Sequence, residues 1–120
     1  MWSVELPPEP ASATRARRLA RDQLASVCPP ETLDTVALLV TELVTNAVLH
    51  AATPLQLQIE TRSDHVRLCV EDTSERQPEL RNYATDAVTG RGLALVEALS
   101  SSWGVETTPT GKTVWCEIPR

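Results

Sequence analysis

The sequence has no apolar run approaching the roughly 20 residues that a membrane span requires, and its start carries neither a basic stretch nor a signal-type apolar block. A soluble, cytoplasmic protein that does not engage a membrane is therefore expected. Cysteine is scarce. Cys28, Cys69 and Cys116 are odd in number and far apart, which excludes a fully paired disulfide framework and any CxxC metal site. Cys69 and Cys116 fall in strand-like stretches, where a small buried hydrophobe is the expected role. Lysine is scarcer still, with Lys112 the only one among 11 basic residues, and the net charge is −5. A chain this acidic is unsuited to broad, sequence-independent nucleic-acid binding, which rests on neutralising phosphates with Lys and Arg. A local phosphate pocket remains compatible with it. Internal repeats and low-complexity tracts are also missing.

What is present is 120 residues, 42% hydrophobic and 22% charged, enough for one compact domain over 1–120 and too little for two. Trp2 to Leu6 reads as a short strand, stopped by Pro7, Pro8 and Pro10. From about Ser12 to Val27, Ala16, Leu19, Ala20, Leu24 and Val27 recur at helical spacing, with Arg15, Arg17, Arg18 and Arg21 on other faces. Those arginines fit a solvated face, or one that docks a partner or a phosphate. After Pro29 and Pro30, Glu31 to about Ala51 forms a longer helix with two polar stripes, one of Asp34, Thr41 and Thr45, the other of Thr35, Glu42, Asn46 and His50. A surface helix needs only one polar face, so the second is expected to line a cavity.

Leu55, Leu57 and Ile59 alternate with polar residues, as do Val66, Leu68 and Val70, so the two segments predict an antiparallel hairpin that turns at Ser63 and Asp64 and ends at Asp72. Periodicity fails from Thr73 to Thr89, a length of loop that is usually functional or mobile. Gly90-Arg91-Gly92 opens a third helix, and Trp103 to Thr107 with Thr113 to Ile118 closes the chain as a hairpin across Pro109, Thr110 and Gly111. The order implies an α+β, two-layer sandwich with helices on one face of a mixed, mainly antiparallel sheet.

Three places can carry chemistry. Glu42 and Asn46, four residues apart, project from one side of their helix. A carboxylate there can take a proton from a hydroxyl, and an amide oxygen can ligate a hard cation such as Mg²⁺. Asp72 closes an apolar strand just before the irregular loop and can accept from an exocyclic amine. Gly90 and Gly92 precede a helix, whose first amides attract phosphate. Each feature has a plain alternative: a surface pair, a strand-end cap, a flexible joint. Two common nucleotide motifs are excluded. Gly111-Lys112-Thr113 would end a Walker loop, but Glu106 stands where its first glycine belongs, and a dinucleotide pattern from Gly90 and Gly92 fails at Leu95.

Taken together, Glu42-Leu-Val-Thr-Asn46-Ala-Val-Leu-His50, Val70-Glu-Asp72-Thr-Ser74, Thr89-Gly-Arg-Gly92-Leu-Ala-Leu-Val96 and Gly111-Lys-Thr113 resemble the N box, G1 box, G2 box and final threonine of the GHKL ATPases. The likeness is nearest to the anti-sigma-factor serine/threonine kinases of the short actinobacterial type and covers nearly the whole chain. It implies a Bergerat ATP-binding fold with ATP and Mg²⁺ as cofactors. By position, Glu42 would be the catalytic base, Asn46 the Mg²⁺ ligand and Asp72 the adenine reader. Ser74, Gly90, Arg91, Gly92 and Leu93 would meet the nucleotide, Thr113 would support its adenine end, and His50 would line the site.

The sequence departs from that pattern at Ser74, where the G1 box expects glycine, and in the Glu75 to Thr89 lid, which has no glycine. Both put turnover in more doubt than nucleotide occupancy. The resemblance implies phosphorylation of an anti-anti-sigma (STAS-type) protein and an alternative hold on a sigma factor, with a homodimer suggested by related kinases. The competing expectations are an ATP-binding regulatory module without phosphotransfer, a detached histidine-kinase catalytic domain, and a purely structural interaction protein.

Overall fold

The computed structural model describes residues 1–51, 53–73, 94–109 and 111–120. In chain order its elements are β1 (Trp2–Leu6), α1 (Ala11–Leu24), α2 (Pro30–His50), β2 (Leu55–Thr61), β3 (His65–Asp72), β4 (Ser102–Thr108) and β5 (Gly111–Pro119). Residues 94–99 form a further helical stretch. It buries Val96 fully, and the Ser100 amide and hydroxyl both donate to the Val96 carbonyl at its end.

The strands form one sheet in the order β1-β2-β3-β5-β4. Pairing is antiparallel at every junction among the described strands, so the mixed sheet allowed by the sequence resolves to an antiparallel one. Alternation explains why these segments pair. Leu55, Leu57 and Ile59 of β2, Val66, Leu68 and Val70 of β3, and Val114, Cys116 and Ile118 of β5 are all buried on one face. α2 packs on that face across β2, β3 and β5, and α1 packs against α2. The small side chains of Ala13, Ala16 and Ala20 are buried on α1, which lets the two helix axes approach.

α1 stops earlier than its periodicity predicts. Backbone bonds from Val27 and Cys28 both return to the Leu24 carbonyl, and Pro29 disfavours helical geometry in the residue before it. Val27 is consequently 40% exposed, while Cys28 is buried in its stead. α2 begins at Pro30, a residue suited to the first helical position because its missing amide would have had no partner there.

By length and hydropathy alone α2, at 21 residues, passes as a membrane span, which corrects the expectation that no apolar stretch approaches that length. Here its apolar residues Val36, Leu39, Val40, Leu43 and Val44 are buried in the core. All three cysteines are free and buried, as expected of small hydrophobes.

Candidate functional site

Register assembles the site. Leu6 pairs with Leu55, Leu55 with Asp72, Asp72 with Lys112, and Lys112 with Thr107, so these five residues form one row across an end of the sheet. Directly paired residues in an antiparallel sheet project to the same face. Leu6 and Leu55 are core residues, so Asp72 and Lys112 lie on the helix-covered side, 4% and 3% exposed respectively. Burial pushes the Lys112 ammonium below the ordinary lysine value, and the negative charge of Asp72 pushes it back up.

α2 brings the second group of residues. His50 ends this helix five residues before Leu55, which places the last turns of α2 at the same end of the sandwich as Asp72. Glu42, Asn46 and His50 share one stripe of α2, with Glu42 about 12 Å farther along the axis than His50 at 1.5 Å per residue. Glu42 and His50 are half-buried. Asn46 is 2% exposed, and its Nδ2 is buried with no hydrogen-bond partner among the described residues. Thr53 Oγ1, in the connection from α2 to β2, is in the same condition. A buried polar atom without a partner costs about 1–3 kcal/mol, so each of these two atoms has room for a polar partner beyond the described residues.

The other α2 stripe has a structural role. Asp34 pairs with Arg21 of α1 at 3.0 Å, and Thr41 donates to the Ala37 carbonyl of its own helix. Of the leucines flanking the stripe of Glu42, Asn46 and His50, Leu43 is buried, whereas Leu38 and Leu49 are exposed.

One expected site residue falls elsewhere. Thr113 pairs with Glu71 on β3 and Glu106 on β4, which puts it on the opposite face of the sheet from Asp72. The residue brought beside Asp72 is Lys112. Its signal was available in the sequence: Val114, Cys116 and Ile118 are the apolar set of their strand, and 112 shares their parity. Ser74, Gly90, Arg91, Gly92, Leu93 and the loop from Glu75 to Thr89 lie outside the described residues.

The donor set suits a nucleotide bound with Mg²⁺. Among the described residues no cluster of His, Cys, Asp or Glu could hold a metal by itself. A magnesium ion shared between one protein oxygen, such as Asn46 Oδ1, and the ligand's phosphates needs no such cluster. The opposite face has a shallow cavity of about 330 Å³ lined by Glu5, Gln56, Gln58, Glu71 and Thr73. Its carboxylates would repel phosphate.

A family profile described as "Histidine kinase-like ATPase domain" matches residues 6–118. The chain belongs to this family. Solved structures similar to this chain include parts of longer proteins. The histidine kinase domain from the Erythrobacter litoralis EL346 blue-light activated histidine kinase is 25% identical with a TM-score of 0.62, over 94% of this chain and 61% of that one. A second structure of the same kinase is 31% identical, also at 0.62, over 76% of this chain and 31% of that one. The RsbU and RsbW domains of Rv1364c from Mycobacterium tuberculosis share the fold at a TM-score of 0.69 and 20% identity, over all of this chain and 33% of that one. The chain thus spans less than two thirds of each of these structures. No curated protein matches it.

Proposed function

We propose that this ATPase domain binds Mg·ATP on the helix-covered face of its sheet and transfers the γ-phosphoryl group to a serine of an anti-anti-sigma (STAS-type) protein in the cytoplasm, with a sigma factor as alternative partner. The observation that carries the reading is that Asp72 and Asn46 are both buried, with Asn46 Nδ2 lacking a hydrogen-bond partner among the described residues. The choice of the anti-sigma branch rests on the sequence resemblance of the Glu42–His50, Val70–Ser74 and Thr89–Val96 motifs.

Asp72 is the acceptor for the exocyclic amine of adenine, Asn46 Oδ1 is the oxygen for the metal, and Glu42 stands farther along α2, toward the phosphates. Bound Mg²⁺ neutralises charge on the triphosphate. In the transfer, the partner's serine Oγ forms a bond to the γ-phosphorus, the bond to the β-phosphate oxygen breaks, ADP leaves, and Glu42 accepts the hydroxyl proton.

Calorimetry with Mg·ATP tests binding, and labelled ATP with a candidate partner tests transfer. Glu42→Ala is expected to leave nucleotide affinity nearly intact while lowering transfer by about 10² to 10⁴, the usual worth of a general base. Equal transfer by parent and variant would remove Glu42 from the chemistry. Tight ATP binding with no transfer to any partner would favour the regulatory-module reading, which the Ser74 departure also suits.

A further inference from the structure

Hydroxyls in this chain are put to use by its own backbone. Thr35, Thr41 and Ser100 donate to the carbonyl four residues back, Ser12 donates to Pro7 and Ser101 to Glu117. Thr53 differs. Its Oγ1 is buried, yet no hydrogen-bond partner for it stands among the described residues. The next residue, Pro54, has no amide to offer, and the amide of Ala51 is already spent on the Ala47 carbonyl at 2.8 Å. A valine of the same shape would fill this position without the cost of burying a hydroxyl.

The place of this hydroxyl follows from the chain. Thr53 lies in the connection from α2 to β2, three residues after His50 and two before Leu55. Two residues of chain reach at most about 7 Å. Leu55 is the direct cross-strand partner of Asp72, and such partners have Cα atoms about 5 Å apart. Thr53 is therefore tied to the Asp72 end of the site, whereas Glu42 stands about 12 Å along α2 from His50.

We propose that Thr53 is a further base-binding residue, whose hydroxyl donates to a ring nitrogen of a 6-aminopurine beside the amino group that Asp72 accepts. The inference rests on the reading of this face as a nucleotide pocket. A carboxylate only accepts, so it serves the amino group and none of the ring nitrogens, which are acceptors themselves. A hydroxyl supplies the missing donor. N1 and N7 flank the amino group, so a donor standing beside Asp72 meets one of them. With the base bound, Thr53 Oγ1 gains the partner that the described residues do not give it.

The test measures Mg·ATP binding by calorimetry, and ligand-free stability by urea denaturation, for the parent, Thr53→Val and Thr53→Ser. Thr53→Val should bind ATP about three- to tenfold more weakly, the net worth of one hydrogen bond, while its ligand-free form is at least as stable as the parent. Thr53→Ser should stay near the parent affinity. 1-Deaza-ATP and 7-deaza-ATP each lack one of the two nitrogens. One of them should bind the parent and Thr53→Val equally, because the atom that the hydroxyl serves is gone.

A Thr53→Val protein that keeps the parent's ATP affinity, or that loses equal ground with ATP and both analogues, would overturn the inference and leave the pocket in place. So would a Thr53→Val protein that is less stable without ligand or does not fold, since the hydroxyl would then be serving the fold. A parent protein that does not bind ATP would overturn the reading of the pocket and the inference with it.

Discussion

Gly104 lies against the indole of Trp115, its cross-strand partner: a Cβ on the glycine would stand 2.8 Å from the ring Nε1. The Arg67 guanidinium covers the same ring, 4.4 Å from its centroid. Gly104→Ala should therefore force the indole aside and destabilise the protein by about 1–3 kcal/mol, the usual cost of overpacking. In a Trp115→Ala background the same change should cost almost nothing. Urea denaturation of the four proteins in this cycle measures the difference.

Gly111 has a harder neighbour. A side chain there would run into the backbone carbonyl of Asp72, which cannot swing away as an indole can. Gly111→Ala should lower the melting temperature more than Gly104→Ala does, and it should weaken ATP binding in whatever fraction still folds, since β3 and β5 must separate beside Asp72. Calorimetric melting with and without ATP checks both effects.

Asn46→Ala should weaken ATP binding mainly when Mg²⁺ is present, and EDTA should erase the difference from the parent. Because the Nδ2 atom lacks a partner among the described residues, removing the amide should not lower, and can raise, the stability of the ligand-free protein. Equal binding losses with and without metal, together with a lower melting temperature, would make Asn46 a packing residue.

Burial pushes the Cys116 thiol from 9.0 up to about 12. Between those values the folded chain keeps a proton that the unfolded chain has lost. This group therefore adds nothing to the pH dependence below about pH 9, and above it subtracts up to about 1.4 kcal/mol per pH unit. Cys116→Val should flatten the alkaline fall in stability relative to the parent in urea titrations from pH 8 to 10.5. At pH 8 the folded parent should leave Cys116 unmodified by a thiol reagent that reaches it after denaturation.

Most of the fold was legible because period-two alternation in β2, β3 and β5 and period-3.6 spacing in α1 and α2 follow from which face is buried. The end of α1 was not, since Val27 continues the apolar spacing while the approach to Pro29 turns the backbone away. The placement of Glu42, Asn46 and His50 on one stripe follows from helix geometry, and that of Asp72 on the core face from counting along its strand. Thr113 was assigned by matching a motif, a procedure blind to strand parity, and Lys112 was passed over because a lone lysine beside a glycine looks like surface. Pairing partners are a long-range property: no local pattern reveals that position 112 meets position 72.

Asp72 hangs from β3, which has a neighbour on each side from Val66 to Asp72, β2 on one flank and β5 on the other. Amides in such a central strand exchange with solvent only through the largest opening events of a domain, whereas exposed edges and helix ends fray at little cost. If Asp72 reads the base as proposed, the reading is done by the most persistent part of the molecule. An influence that tunes affinity at such a site without unfolding the protein would then have to arrive from outside this strand, the helix layer above the row included.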